Sequence, residues 1–193
     1  SLSAINTLEK QGVLRIERLE ISRIQTEDKT KFEFPVLSDA QQNATTSIRQ
    51  QFESKETVLL QGITGSGKTE IYIHLIKEAL EKGKQVLFLV PEIALTTQLI
   101  HRLRAYFGAQ IGVYHSKFNA NERVEIWNKV LENNPHQFRI NVGARSSVFL
   151  PFRDLGLVIV DEEHESSYKQ HDPSPRYNGR DIGIVLSHFF KAK

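Results

Sequence analysis

The 193-residue chain contains no cysteine and no methionine. Without thiols, disulfides and thiolate metal sites are excluded within it. The missing methionines, the opening "SLSAI" and the stop at "SHFFKAK" lead us to expect an excised piece of a longer protein. No apolar run approaches the roughly 18 residues of a membrane span, and no signal peptide opens the chain. A membrane partner is therefore not expected, and a cytoplasmic location is the default. Charge of one sign is also lacking: the net charge of +2 is too small to imply a nucleic-acid partner by itself, so any basic surface must be local. The length suits one good-sized domain, or one domain plus a fragment.

What is present falls into three regions. Residues 2–12 have helical apolar spacing (Leu2, Ile5, Leu8) closed by Gly12, and residues 13–24 alternate apolar and charged as a half-buried hairpin does. A polar link, "QTEDKTKFEFP", follows. From Leu37 onward, apolar runs read as strands at 57–62, 85–90, 111–116, 139–144 and 155–162. Between them "KTEIYIHLIKEALEKG", "ALTTQLIHRLRAYFG" and "NERVEIWNKVLENN" read as helices. Continuous apolar strands separated by helices predict an α/β fold, a parallel sheet covered on both faces. Trp127, with Val124 and Leu131 on one helical face, is predicted to be core.

"GITGSGKT", Gly62 to Thr69, matches the G-x-x-x-x-G-K-[ST] phosphate loop at every required position, with a strand pattern before it and a helix pattern after. Gly62, Thr64, Gly65, Ser66 and Gly67 would turn backbone N–H groups toward phosphate oxygens at the helix start. Lys68 would reach the outer phosphates of ATP, and the Thr69 hydroxyl would ligate Mg²⁺. A second half of such a site is expected at the carboxyl end of a strand. "LGLVIVDEEH" supplies it: Asp161 for the Mg²⁺ shell, Glu162 for the attacking water, and Glu163 with His164 placed to sense the terminal phosphate. Upstream, "LSDAQQNATTSI" holds Gln41 and Gln42, whose amides are of the kind that reads adenine. From the residues alone, a surface glutamine is the better description. The arginine that such hydrolysis commonly needs has no assignable candidate.

"DEEH" is a D-E-x-H/D box of superfamily 2 nucleic-acid motors. With "GITGSGKTEIY", "LVPEIALTTQ", "YHS", "GARSSVFLPF", "LGLVIVDEEHESSYKQ" and "PRYNGRD", the stretch from Leu37 to the end resembles the primosomal protein N′ (PriA) family of bacterial replication-restart DNA helicases. The resemblance implies a RecA-like first helicase lobe at residues 34–193, truncated before motif III, and the last helix and wing of a winged-helix module with its linker at residues 1–33. It implies an ATP-dependent 3′→5′ DNA helicase that recognises stalled forks, with single-stranded DNA-binding protein and replicative-helicase loaders as partners. Zinc is implied only beyond Lys193. The resemblance favours Gln41 as adenine reader. It also gives Thr96, Arg145 and Ser146 to DNA phosphate, and the loop of His164, Tyr168, Lys169, Arg176, Tyr177 and Arg180 to coupling DNA with hydrolysis, its tyrosines stacking on bases. The chain departs from the family where Thr is common at Ala144 and where "YHARD" is common at "YNGRD". Two alternatives remain: another superfamily 2 translocase, or a DNA-binding scaffold with a vestigial nucleotide site.

Overall fold

Residues 85–89, "QVLFL", form a strand buried along its whole length, and such a strand must be central. In the computed structural model, which describes residues 2–15, 32–63, 65–115 and 118–193, it is β1 (Gln85–Leu89) of a four-stranded sheet. The others are β2 (Ile111–Tyr114), β3 (Ile140–Gly143) and β4 (Leu155–Val160). All pairings are parallel, in the order β2-β3-β1-β4. The predicted α/β fold is observed.

Side-chain alternation along β1 divides the core. Val86 and Phe88 pack under Ile73 and Ile76 of α3 (Lys68–Glu81) and Leu103 and Phe107 of α4 (Thr97–Phe107). Leu87 and Leu89 face Ile126 and Val130 of α5 (Ala120–Glu132), with Ile182 and Leu186 of α6 (Gly179–Phe190) packed against the same cluster. Helices thus cover both faces. Inside this apolar packing the Gln85 amide is fully buried yet satisfied: it donates to the Val130 carbonyl at 3.0 Å and accepts from the Arg153 and Asp154 N–H groups at 2.8 and 3.0 Å.

Three sequence expectations are corrected. Residues 57–62 do not form a strand; a cavity of about 600 Å³ separates them from β4, so the segment has no ladder to join. The free edge of β4 is instead met by Lys193, whose N–H donates to Gly156 and whose carbonyl accepts from Val158. Trp127 is not core: it is 43% exposed, with Val124 and Leu131 also exposed, because α5 turns its Ile126 and Val130 stripe inward. The helix expected from Ala94 begins only at Thr97, after a 3-10 turn at Glu92–Ala94, because Thr96 caps it by accepting from the Leu99 N–H at 3.3 Å.

Two further α-helices lie among the described residues. The pattern missed α2 (Asp39–Phe52), which opens on a capping box between Ser38 and Gln41. Helix α1 (Leu2–Lys10) forms as expected, with Ile5 and Leu8 exposed. Most of the expected hairpin at 13–24, together with Thr64 and Ser116, lies outside the described residues.

Candidate nucleotide site and its coupling loop

The phosphate loop bends through left-handed backbone at Gly65 (φ +79°) and Gly67 (φ +83°), where a side chain would be strained. A β-carbon at Gly67 would also displace the Gln41 amide that packs against it. The loop ends on the first turn of α3, so Lys68 and Thr69 sit at that helix's positive end. Lys68 Nζ donates to the Gly62 carbonyl at 2.8 Å and lies 3.4 Å from Glu162 Oε1. Residues 94 positions apart in sequence therefore meet across the mouth of the sheet.

Strand β4 ends at Val160, and Asp161 continues it by one bond, its N–H donating to the Leu89 carbonyl at 2.9 Å. The chain then turns sharply through Glu162, a non-glycine residue at φ +47°. Left-handed backbone at such a residue costs on the order of 1–2 kcal/mol. Two tyrosines bracket Asp161. Tyr72 of α3 donates to its Oδ1 at 3.1 Å, and Tyr168 donates to its carbonyl at 2.6 Å. Burial pushes the Asp161 carboxyl above its ordinary value, against the opposing Tyr72 hydrogen bond. Burial first, and Asp161's charge second, push both phenols well above theirs.

Lys68, Thr69, Asp161 and Glu162 line one cavity of about 240 Å³. A hydroxyl and a single carboxylate beside a phosphate loop are hard oxygen donors, the set that holds Mg²⁺ when phosphate oxygens and water complete its shell. The donors present fit the ion. Among the described residues no group of three or more His, Cys, Asp or Glu could hold a metal by itself.

Gln41 is brought to this site, but its amide is engaged within the protein. Its Oε1 accepts from the Ser38 N–H at 2.9 Å and its Nε2 donates to the Gly67 carbonyl at 3.2 Å. Thr96 is exposed at the start of α4. Arg145 is turned inward: Nη1 donates to the Ser167 carbonyl at 3.1 Å, pinning the loop that follows the acids. Next to Ser146, the Ser147 N–H is spent on the Ala144 carbonyl at 2.9 Å.

The loop from His164 to Arg180 is closed at its base by an antiparallel bridge between Lys169 and Asn178. Tyr168 lies inside that base, 1% exposed, so the expectation of an open stacking face there is corrected: the ring fills the α6 side of the core. Tyr177 is half-buried, edge-to-face with Phe149 at 5.0 Å. Arg180 is taken up by Glu163 and Asp181, both at 2.9 Å. His164, Lys169 and Arg176 remain exposed. Gly179 packs so closely that a β-carbon would sit 2.9 Å from Arg145 Cα, which accounts for glycine in "YNGRD". Sequence reasoning missed Tyr72, although it follows Lys68 by four residues and so shares its helix face. It also missed Arg102 at the cavity and the Arg180–Glu163 pair, which no local pattern signals.

A parallel sheet with a phosphate loop at the start of one helix and an acid pair at the carboxyl end of a strand is the arrangement of the phosphate-loop nucleotide-binding class. The chain belongs to the family described as Type III restriction enzyme, res subunit, which matches residues 35–191. It is 43% identical over 188 residues to the Replication restart protein PriA of Bacillus subtilis (strain 168), covering 95% of this chain and 23% of that protein. Against the Replication restart protein PriA of Rickettsia felis it is 46% identical over 162 residues, 84% of this chain and 24% of that one. The chain thus spans about a quarter of the length of these curated relatives. Among solved structures, the ATP-dependent Type ISP restriction-modification enzyme LlaBIII bound to DNA shares the fold, with a TM-score of 0.55 at 18% identity over 83% of this chain and 12% of that one. No helix among the described residues is long and apolar enough to cross a membrane.

Proposed function

We propose that the chain is the first RecA-like lobe of a replication-restart DNA helicase of the PriA type, a motor that hydrolyses ATP to move 3′→5′ on single-stranded DNA. In this reading residues 34–193 are the lobe and residues 1–33 the end of a winged-helix module with its linker. The observation that carries it is the convergence of Lys68, Thr69, Asp161 and Glu162 on one cavity. Four chemically matched groups from two distant segments argue against a vestigial site. The level of identity to PriA proteins favours replication restart over a restriction-type translocase.

The chain's own groups have definite tasks. Lys68, now on the Gly62 carbonyl and near Glu162, transfers its ammonium to the outer phosphates. That frees Glu162 to orient and deprotonate the attacking water. Thr69 and Asp161 hold Mg²⁺, which when bound offsets the charge on the phosphates. DNA is read by the exposed cations Lys169 and Arg176 at the coupling loop and by Thr96 at the start of α4. A pull on that loop is transmitted through Tyr168 to the Asp161 carbonyl, and through Arg180 to Glu163. The partners of the full protein in this reading are forked DNA, single-stranded DNA-binding protein and replicative-helicase loaders, in the bacterial cytoplasm. Lys68→Ala in the full-length protein is the test: DNA binding is retained and unwinding of a fork is lost. Unwinding that survives Lys68→Ala would remove the motor reading.

A further inference from the structure

The phosphate cavity contains a second cation. Arg102, on α4, lines it together with Lys68, Thr69, Glu70, Asp161 and Glu162. Its Nη2 donates to Oε1 of Glu70, on the first turn of α3, and the pair ties α4 to the phosphate-loop helix. Glu70 Oε2 is buried with no hydrogen-bond partner. Two cations here face three carboxylates, and an incoming triphosphate adds further negative charge. Removing Arg102 would leave Lys68 alone against Glu70, Asp161 and Glu162. The Arg102 side chain is 43% exposed, so a ligand can reach the guanidinium without the core opening.

We propose that Arg102 contacts the outermost phosphate of a bound nucleoside triphosphate, as a second cation contributed by this same chain, and that Glu70 holds it ready. The inference rests on the nucleotide-hydrolase reading above. The inner phosphates are cradled by the loop's N–H groups, and the outermost projects toward Lys68 and Glu162, into the part of the cavity that Arg102 shares. A planar guanidinium carried by one carboxylate can turn a free N–H fork to a phosphate oxygen without leaving its partner.

The test compares binding of a non-hydrolysable ATP analogue and of ADP, with Mg²⁺, by calorimetry on the full-length protein. The variants are Arg102→Ala, Arg102→Lys, Glu70→Gln and Lys68→Ala. Arg102→Ala is expected to weaken the triphosphate about 10- to 100-fold and ADP less than about threefold, the size of one lost charge-assisted contact. Arg102→Lys should recover part of the loss. Glu70→Gln, which loosens the hold on Arg102, should weaken the triphosphate selectively but less than Arg102→Ala does. Equal weakening of both nucleotides by Arg102→Ala would make the pair a purely structural tie and overturn the proposal. Unchanged triphosphate binding in Arg102→Ala would also overturn it. If Arg102→Ala fails to fold, the triphosphate-to-diphosphate ratio of Arg102→Lys decides: a ratio equal to wild type and to Glu70→Gln overturns it. Lys68→Ala separates the two levels, since triphosphate binding that survives there sinks the nucleotide-site reading itself, whereas loss there with no effect at Arg102 sinks only this inference.

Discussion

Tyr168 offers the sharpest perturbation, because its burial and its single hydrogen bond set different magnitudes for two substitutions. Tyr168→Phe keeps the ring in the core and deletes only the hydroxyl that donates to the Asp161 carbonyl at 2.6 Å. Losing that bond in a half-buried setting costs about 1–2 kcal/mol. In a chain of this size that lowers Tm by about 2–8 °C. Tyr168→Ala removes a ring that is 1% exposed and leaves a cavity beside α6, which costs about 3–5 kcal/mol. That is a large part of the roughly 5–15 kcal/mol that holds a typical domain folded. The assay is urea and thermal denaturation by circular dichroism, alongside single-stranded DNA affinity. If Tyr168→Ala melted with wild type while losing DNA affinity, the ring would be an open stacking face and the packing account would be refuted.

Other perturbations separate structure from chemistry. Gln85→Ala strands the Arg153 and Asp154 N–H groups, and should cost about 2–4 kcal/mol in urea denaturation with little change in nucleotide affinity. Asp161 has a folded pKa raised above 3.8, so the folded state holds its proton more tightly than the unfolded chain does. Its ionisation therefore subtracts stability as pH rises from that ordinary value through the raised one. Asp161→Asn should abolish hydrolysis yet melt higher at neutral pH, with a flatter pH dependence across that window; a lower melting point would contradict the sign. Lys169→Ala and Arg176→Ala should leave stability within about 0.5 kcal/mol, and each should reduce the salt dependence of DNA binding by about one phosphate contact.

The sheet was legible because its strands are continuous apolar runs, and the candidate site stood out because glycine, lysine and threonine at fixed spacing have few other uses. The segment at 57–62 misled because an apolar run carries no information about which neighbour it pairs with. Trp127 misled for a related reason: α5 carries two apolar stripes, and only packing chooses Ile126 and Val130 for the core. Tyr168, Arg145 and Arg180 looked like ligand contacts because aromatic and basic residues in a loop fit that role. Long side chains can equally turn back, and here they join the loop to Asp161, Ser167 and Glu163. Those contacts are long-range in the fold and leave no periodicity in the sequence.

In the proposed helicase, Glu162 turns over ATP held by the phosphate loop in response to DNA. The most direct measurement is the ATP hydrolysis rate of the full-length protein with and without single-stranded DNA, wild type beside Glu162→Gln. The account expects strong DNA stimulation in the wild type, and a loss of about 100-fold or more in Glu162→Gln with nucleotide binding retained. A Glu162→Gln protein that hydrolyses ATP at the wild-type rate, or a wild type indifferent to DNA, would contradict it.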